Sequence, residues 1–482
     1  MDAFNIKDCK GITQDSRKVG QGYLFAALPG SKVDGLSFIP DALDKGARAV
    51  LVQSGVKLGN IRDGINVISD DNPRRRFSQM AAEYYVLQPD YSVAVTGTNG
   101  KTSTVHFARQ IWAALGYKAA SLGTLGVQVS GANVSIEKSG SMTTPDPVTL
   151  HQDLKTLKEA GIDHLAMEAS SHGLDQYRLD GVKIRAAGFT GFSRDHLDYH
   201  ASEAEYLAAK MRLFSEVCVA GGAAVLNADI SEFPALEKTA SDRGLTVWSY
   251  GRKGREFKIL DLKSVPEGQA LSCEVLGKSY NLILPLAGEF QVYNVLCALG
   301  LVLSEDQTKA SEALNVLSTL TSVPGRIEFI AGHPVKAGVY VDYAHTPDAI
   351  ETVLKALRPH ALGKLVCIFG CGGDRDPGKR PLMGKAALDN ADIVIVTDDN
   401  PRSEDPASIR AQAAAASDEI INIEGRREAI RYALSLLQEN DVLVVTGKGH
   451  EQGQEFADHT EEFCDATELR KAMGILTEEK KS

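Results

Sequence analysis

Several features are scarce in this sequence, and each scarcity excludes a class of protein. Cysteine occurs only seven times, at Cys9, Cys218, Cys273, Cys297, Cys367, Cys371 and Cys464, an odd and scattered set without zinc or redox spacing. That excludes a disulfide scaffold and leads us to expect reduced thiols in a cytoplasmic protein. No apolar run approaches membrane-spanning length, and the opening residues MDAFNIKDCKG lack the basic and apolar stretch of an export signal. Positive charge is in deficit as well. The formal net charge of −11 argues against general affinity for nucleic acid or anionic membrane, while leaving room for a local basic pocket that takes a small anion. Short-period repeats and low-complexity tracts are absent, and only the tail TEEKKS looks frayed. What remains is 482 residues of ordinary globular composition, 43% hydrophobic and 24% charged, too long for one core.

Three regions follow one another. Residues 1–88 mix short strands such as GYLFAAL and ARAVLV with helical stretches. From Tyr91 the pattern becomes strand, glycine turn, helix: YSVAVTG, then TNGKT, then a helix expected from about Ser103 to Leu115. Further buried-strand runs (HLAMEAS, AAGFTGFS, AAVLNAD) alternate with helices, as in a mostly parallel sheet covered on both faces. Residues 250–285 read as antiparallel, and a helix is expected at about Val292 to Leu303. After VPGRIEFI the alternation restarts with AGVYVDYAH, KLVCIFG, ADIVIVTDD and DVLVVTGKG. The expected fold is α/β in three domains: 1–88 mixed α/β, 89–330 a parallel sheet with an ATPase-like phosphate loop, and 331–482 a Rossmann-like doubly wound sheet.

The pentapeptide DDNPR occurs twice, at Asp70 to Arg74 and at Asp398 to Arg402. The first copy precedes RRFSQMAAEYY, where Phe77, Met80, Ala81 and Tyr84 recur at helical spacing. Asn72 then serves as N-cap and Pro73 as first helical residue, with Asp70 and Asp71 favouring the positive helix end. Every residue of this copy has a structural task, and Arg74 is expected to be dispensable for catalysis. The second copy follows the buried run ADIVIVT. The next helix has its own start in Asp405 and Pro406, so Asp399, Asn400 and Arg402 are left in a loop beyond a strand's carboxyl end, where open α/β sheets bind ligands. A turn with solvated charges is the plainer alternative.

The stretch VTGTNGKTST carries the clearest chemistry. A buried strand ends at Thr96, Gly97 and Gly100 permit a tight turn, Lys101 can reach terminal phosphates, and Thr102 can ligate Mg²⁺. The general spacing would place the first glycine at Val95, so the loop departs from the common pattern. Glu168 ends the strand HLAMEAS, where a carboxylate could reach that Mg²⁺. His196, in RDHLDYH, reads more readily as a hydrogen-bonded structural histidine, and Lys210 reads as a solvated helix lysine.

GTNGKTS, MEASSHGLDQYRL, RDHLDYH, AGEFQVYN, VPGRIE, VDYAHTPDAI, GCGGDRDPGKRPLMG, TDDNPR and GKGHE occur in this order. The ordered set resembles the Mur ligase family, ATP-dependent amide-bond-forming enzymes of peptidoglycan precursor synthesis, over nearly the whole chain. The resemblance implies an N-terminal domain for a uridine nucleotide, a central ATPase domain and a C-terminal domain that receives an amino acid. It implies that ATP phosphorylates a carboxylate and that an amine displaces the phosphate. By the same resemblance, Gly97, Thr98, Asn99, Gly100, Lys101, Thr102 and Ser103 form the ATP loop, and Asn294, Arg326, Asp342 and His345 surround the nucleotide. Glu168 and His196 would join Thr102 as ligands of two magnesium ions, and Lys210 would be a carbamylated lysine acting as a further ligand. Ser16, Ser31, Lys32 and Val33 would contact the uridine nucleotide, and Thr143, Thr144, Ser170, Gln176 and Arg178 the muramoyl dipeptide. Gln14 and Met142 depart from the patterns of many relatives.

In this family a DNPR at the second position goes with meso-diaminopimelate. Asp399, Asn400, Pro401, Arg402, Arg375, Gly447 and Glu451 would bind it, with Arg402 on the distal carboxylate and Glu451 on the distal ammonium. A site built around that carboxylate rejects lysine, which lacks it. The resemblance also implies a monomer acting on ATP, UDP-N-acetylmuramoyl-L-alanyl-D-glutamate and meso-diaminopimelate. The alternatives are the same ligase adding L-lysine, a folylpolyglutamate synthetase, and an NTP-hydrolysing switch or transport ATPase.

Overall fold

A computed structural model describes residues 4–30, 34–59, 61–62, 64–136, 142–193, 199–265, 267–330 and 333–475. Two compact units emerge, Met1–Lys258 with Asn294–Ala313, and Ile259–Tyr293 with Leu314–Ser482.

The first unit opens with a four-stranded parallel sheet of β1 (Gly11–Thr13), β2 (Tyr23–Ala26), β3 (Ala49–Gln53) and β4 (Asn66–Asp70), in that order. Helices α1 (Ile39–Asp44) and α2 (Pro73–Tyr85) belong to it. Alternate side chains of the inner strands fill two apolar clusters, one containing Leu24, Leu51, Phe77 and Met80, the other Phe25, Val50 and Ile39. The first DDNPR starts α2 as its residues dictate. Asn72 Oδ1 accepts from Arg75 N at 3.0 Å, Pro73 takes the first helical position, and Asp70 Oδ1 accepts from Asn72 N at 2.8 Å.

A larger sheet follows. It contains β5 (Tyr91–Thr96), β6 (Ala119–Gly123), β7 (Gly126–Ser130), β8 (His164–Glu168), β9 (Ile184–Phe189), β10 (Cys218–Asn227) and β11 (Thr246–Gly251). Their order is β11-β10-β9-β5-β8-β6-β7, parallel except for the β6–β7 hairpin. Helices α3 (Lys101–Ala114), α4 (Pro147–Glu159), α5 (Ser171–Asp175), α6 (Glu203–Arg212) and α7 (Phe233–Asp242) connect them. Strands this apolar are buried on both faces; β5 exposes only Tyr91 in part. Helix α3 begins two residues earlier than its apolar spacing predicts, because Gly100, at φ +87°, ends the loop and turns the chain directly into Lys101. Beyond β11, β12 (Phe257–Val265) pairs with it in parallel at Tyr250–Phe257.

In the second unit β13 (Gly268–Val275) and β14 (Lys278–Leu284) form the antiparallel pair expected there. Helix α8 (Glu289–Leu303), which from Asn294 onward belongs to the first unit, starts three residues before its expected position, and α9 (Ala310–Val316) follows. A six-stranded sheet then runs β15 (Glu328–Phe329), β16 (Gly338–Asp342), β20 (Val442–Thr446), β17 (Leu365–Cys371), β18 (Ile393–Asp398) and β19 (Ile421–Asn422). All pairs but β15–β16 are parallel. Helices α10 (Pro347–Leu357), α11 (Lys379–Leu388), α12 (Pro406–Ala414) and α13 (Arg426–Leu436) cover its two faces, each over its own apolar cluster. Asp405 caps α12 by accepting from Ser408 N at 3.0 Å, as its own start signal requires. No helix among the described residues is long and apolar enough to cross a membrane.

Candidate active site

The phosphate loop joins β5 to α3. Gly97 has φ +142°, and a Cβ there would lie 2.0 Å from Thr190 Oγ1; a Cβ on Gly100 would lie 2.3 Å from Asn294 Oδ1. Both positions therefore require glycine twice over, by conformation and by space. Asn294 is brought to this loop, as expected. Lys101 Nζ donates to the carbonyls of Gly97 and Thr98, each at 2.8 Å, so the ammonium lies folded over the loop's own oxygens. Thr98 Oγ1 donates to Ser193 O at 3.1 Å and Thr190 Oγ1 donates to Asn99 O, which ties the loop to the end of β9. Thr102 and Ser103 occupy the first turn of α3.

Lys210 is not a solvated helix lysine. It is 1% exposed, its Nζ donates to Gly97 O at 2.8 Å, and it stands 4.3 Å from the centre of the Tyr206 ring. Glu168 is equally buried at 1%. Its Oε1 accepts from Thr124 N at 2.8 Å and its Oε2 from Thr124 Oγ1 at 3.3 Å, and no cationic side chain among the described residues pairs with it. An ionised carboxylate in that position favours a cation nearby. His196 and the segment Ser31, Lys32, Val33 lie outside the described residues. Ser16 sits in a short turn, its carbonyl accepting from Lys45 Nζ at 2.9 Å.

The five residues assigned to the muramoyl dipeptide do converge. Thr144 Oγ1 donates to Glu168 O at 2.9 Å and lies 3.0 Å from Ser170 Oγ, while Thr143 Oγ1 is 3.2 Å from Thr124 Oγ1. Arg178 donates to Thr144 O at 2.6 Å and to Gln176 Oε1 at 2.7 Å.

In the second unit the Asp399–Arg402 loop leaves the carboxyl end of β18. Asn400 Nδ2 donates to Glu451 Oε2 at 3.0 Å, and its Oδ1 accepts from Lys448 Nζ at 2.8 Å and from Glu455 N at 3.0 Å. Lys448 also reaches Glu451 Oε2 at 3.2 Å. Arg402 adopts φ +51°, pairs through Nε with Glu455 Oε2 at 2.8 Å, and donates from Nη1 to Gly373 O at 3.0 Å. Gly447, at φ +116°, leaves no room for a Cβ, which would meet Asp399 Oδ2 at 2.6 Å. Pro401 is buried against Gly373, and Arg375 is exposed at the loop's rim. Arg326 stacks over Tyr343 at 5.0 Å, His345 Nδ1 donates to Tyr343 O at 2.8 Å, and Asp342 accepts from Ile327 N at 2.7 Å and Ala344 N at 2.8 Å. Burial pushes the Asp342 carboxyl up against the pull of those N–H groups and the Arg326 charge.

Two buried cations here escaped sequence reasoning. Lys448 is 0% exposed, and its place inside GKGHE was the available signal. Arg426, 1% exposed, makes a bidentate pair with Asp465 at 2.7 Å and donates to Thr446 O at 2.8 Å. Nothing local to EGRREAI announces that pairing.

Models of known families cover three consecutive segments: the Mur ligase family catalytic domain at residues 8–85, the Mur ligase middle domain at 95–302, and the Mur ligase glutamate ligase domain at 325–449. A curated UDP-N-acetylmuramoyl-L-alanyl-D-glutamate--2,6-diaminopimelate ligase from Caulobacter vibrioides is 50% identical over 465 residues, 96% of this chain and 95% of that one. This chain belongs to the Mur ligase family. As a member it is an ATP-dependent, amide-bond-forming ligase. The enzyme of the same name from Chelativorans is 47% identical over 96% of this chain and 94% of its own. A solved structure of a ligase of that name superposes with a TM-score of 0.73 at 34% identity, covering 97% of this chain and 95% of that one. The α/β architecture of this Mur ligase matches that neighbour over nearly all its length.

Proposed function

We propose that this Mur ligase adds meso-diaminopimelate to UDP-N-acetylmuramoyl-L-alanyl-D-glutamate, with ATP converted to ADP and phosphate through an acyl phosphate on the glutamyl carboxylate. The observation that carries this reading is the second DDNPR loop. It sets Asn400 and Glu451 in one hydrogen-bonded group and an arginine beside them, at the carboxyl end of a parallel sheet. Such a set suits an amino acid whose far end carries both a carboxylate and an ammonium. Curated relatives of 45–50% identity that bear this activity in their names support it.

The three segments 1–88, 89–330 and 331–482 would serve the uridine nucleotide, ATP and the amino acid in turn. In the central segment, Lys101 and the N–H groups opening α3 bind the phosphates, and positioning with charge compensation supplies the catalysis. The hydroxyl of Thr102 and the buried carboxylate of Glu168, held by Thr124, are hard-oxygen donors that would fit Mg²⁺, with His196 as a further ligand. That ion would offset negative charge on the transferring phosphoryl. Lys210, buried at Gly97, would carry the carbamate and so present an anion in place of an ammonium. Arg402 and Glu451 orient the amino acid, and Thr143, Thr144, Ser170, Gln176 and Arg178 hold the muramoyl dipeptide. The protein would act as a cytoplasmic monomer.

Mass spectrometry of a complete reaction tests this. A product with the summed mass of the two substrates less one water, formed with equal ADP and phosphate, is expected. ATP turnover that leaves both substrates unjoined would overturn it.

A further inference from the structure

The first DDNPR does more than start a helix. Three arginines follow one another at the head of α2, and the structure treats them differently. Arg75 pairs with Asp180 at 3.2 Å and with Glu216 at 3.6 Å, and Arg76 pairs with Glu83 at 3.2 Å. Arg74 pairs with no carboxylate among the described residues; it donates only to the carbonyl of Pro29. It lines a small open cavity shared with Gln14, Phe77, Asp146, Gln176 and Arg178. Arg178 likewise bonds only neutral oxygens, those of Thr144 and Gln176, and pairs with no carboxylate among the described residues.

The third charge on the cavity wall is already committed. Asp146 caps α4, accepting from Val148 N at 3.0 Å, Thr149 N at 3.3 Å and Thr149 Oγ1 at 2.7 Å. Two guanidiniums therefore face one small cavity against the single carboxylate of Asp146, and the excess positive charge favours an anion there. Burial lowers the Arg178 pKa; Asp146 and Tyr199 pull it up, and the Arg74 charge adds a smaller push down. Phe77 gives the cavity an apolar wall that strengthens any charge pairing inside it. Arg178 on the cavity wall bonds Thr144 O, and Thr144 Oγ1 bonds the carbonyl of Glu168, which lies in register with Val95, one residue before the last of β5.

We infer that Arg74 and Arg178 together clamp an oxyanion of the muramoyl substrate, most directly the glutamyl carboxylate that ATP does not activate. The clamp rests on the substrate proposed above. It makes Arg74 a binding residue, contrary to the structural role that its sequence context alone assigns.

Calorimetric titration with UDP-N-acetylmuramoyl-L-alanyl-D-glutamate tests the clamp in wild type, Arg74→Gln and Arg75→Gln. Arg74→Gln should weaken binding roughly ten- to hundredfold, the loss of a charge-assisted pair, while the KM for ATP stays put. Arg75→Gln, whose partners are structural, should change the melting temperature and not the affinity. The isoglutaminyl analogue, with an amide in place of the free carboxylate, identifies the anion. Acid and amide binding alike to Arg74→Gln means the carboxylate is held; a surviving preference for the acid, with weaker binding overall, means the diphosphate is held. Wild-type affinity in folded Arg74→Gln overturns the clamp. Should that variant fail to fold, Arg74→Lys keeps the charge but loses the two-pronged geometry, and unchanged affinity there overturns it equally. If wild type turns over no muramoyl dipeptide, the substrate reading has failed instead.

Discussion

Replacing Arg402 with alanine separates amino-acid recognition from everything else this ligase does. The guanidinium already spends Nε on Glu455 and one Nη1 hydrogen on Gly373 O, which leaves the Nη2 side as the face for a ligand. At least one charge-assisted hydrogen bond to the distal carboxylate of meso-diaminopimelate would be lost, about 1.5–3 kcal/mol, or roughly ten- to 150-fold in amino-acid KM. Costs to the fold should be slight. Alanine and arginine share a Cβ, so the left-handed backbone at φ +51° is no more strained than before. The Glu455 side chain is 52% exposed, so water screens its lost partner. The assay is steady-state phosphate release with each substrate varied in turn. An amino-acid KM close to wild type, or a KM for ATP that rises as much, would refute the assigned role.

Lys448→Met should raise the meso-diaminopimelate KM about tenfold, because Asn400 and Glu451 lose the ammonium that holds them together, while the fold survives on the Asn400–Glu451 bond; equal kinetics would refute it. Gly97→Ala should abolish nucleotide binding in equilibrium titrations, since its Cβ would collide with Thr190 Oγ1 at 2.0 Å; retained affinity would sink the close-packed loop. Burial, with the Arg109 charge adding to it, pushes His106 down to about 3, and burial pushes His151 down to about 4. The unfolded chain therefore binds more protons below its histidine pKa of about 6.5, and from pH 7 to pH 5 stability should fall by about 2 kcal/mol for each residue. Asp153, pushed up to about 6 by burial and by Asp146, works the other way over that interval. The discriminating readout is thus His106→Phe, whose denaturation midpoint should drop less than that of wild type over the same acidification.

Local chemistry made the connectivity of this fold readable. The run SVAVT could only be a doubly buried strand, Gly97 and Gly100 could only be a turn, and Asn72-Pro73 and Asp405-Pro406 could only begin helices. Those signals lie within a few residues of the structures they specify. What stayed hidden depends on residues far apart in the chain. Arg74, Arg75 and Arg76 are indistinguishable as letters, and only the placement of Asp180, Glu216 and Glu83 shows which arginine lacks a carboxylate partner. Lys210 looked solvated because its helix carries charge on neighbouring positions; the contact with Gly97, 113 residues away, buries it. The pairing of Arg426 with Asp465, 39 residues on, was equally out of reach.

Phosphate release with ATP, Mg²⁺ and UDP-N-acetylmuramoyl-L-alanyl-D-glutamate, comparing meso-diaminopimelate with L-lysine, tests the central claim most directly. Release that requires both the muramoyl substrate and meso-diaminopimelate is predicted. Equal release with lysine would contradict the reading of the Asp399–Arg402 loop, and release without the muramoyl substrate would contradict the ligase mechanism itself.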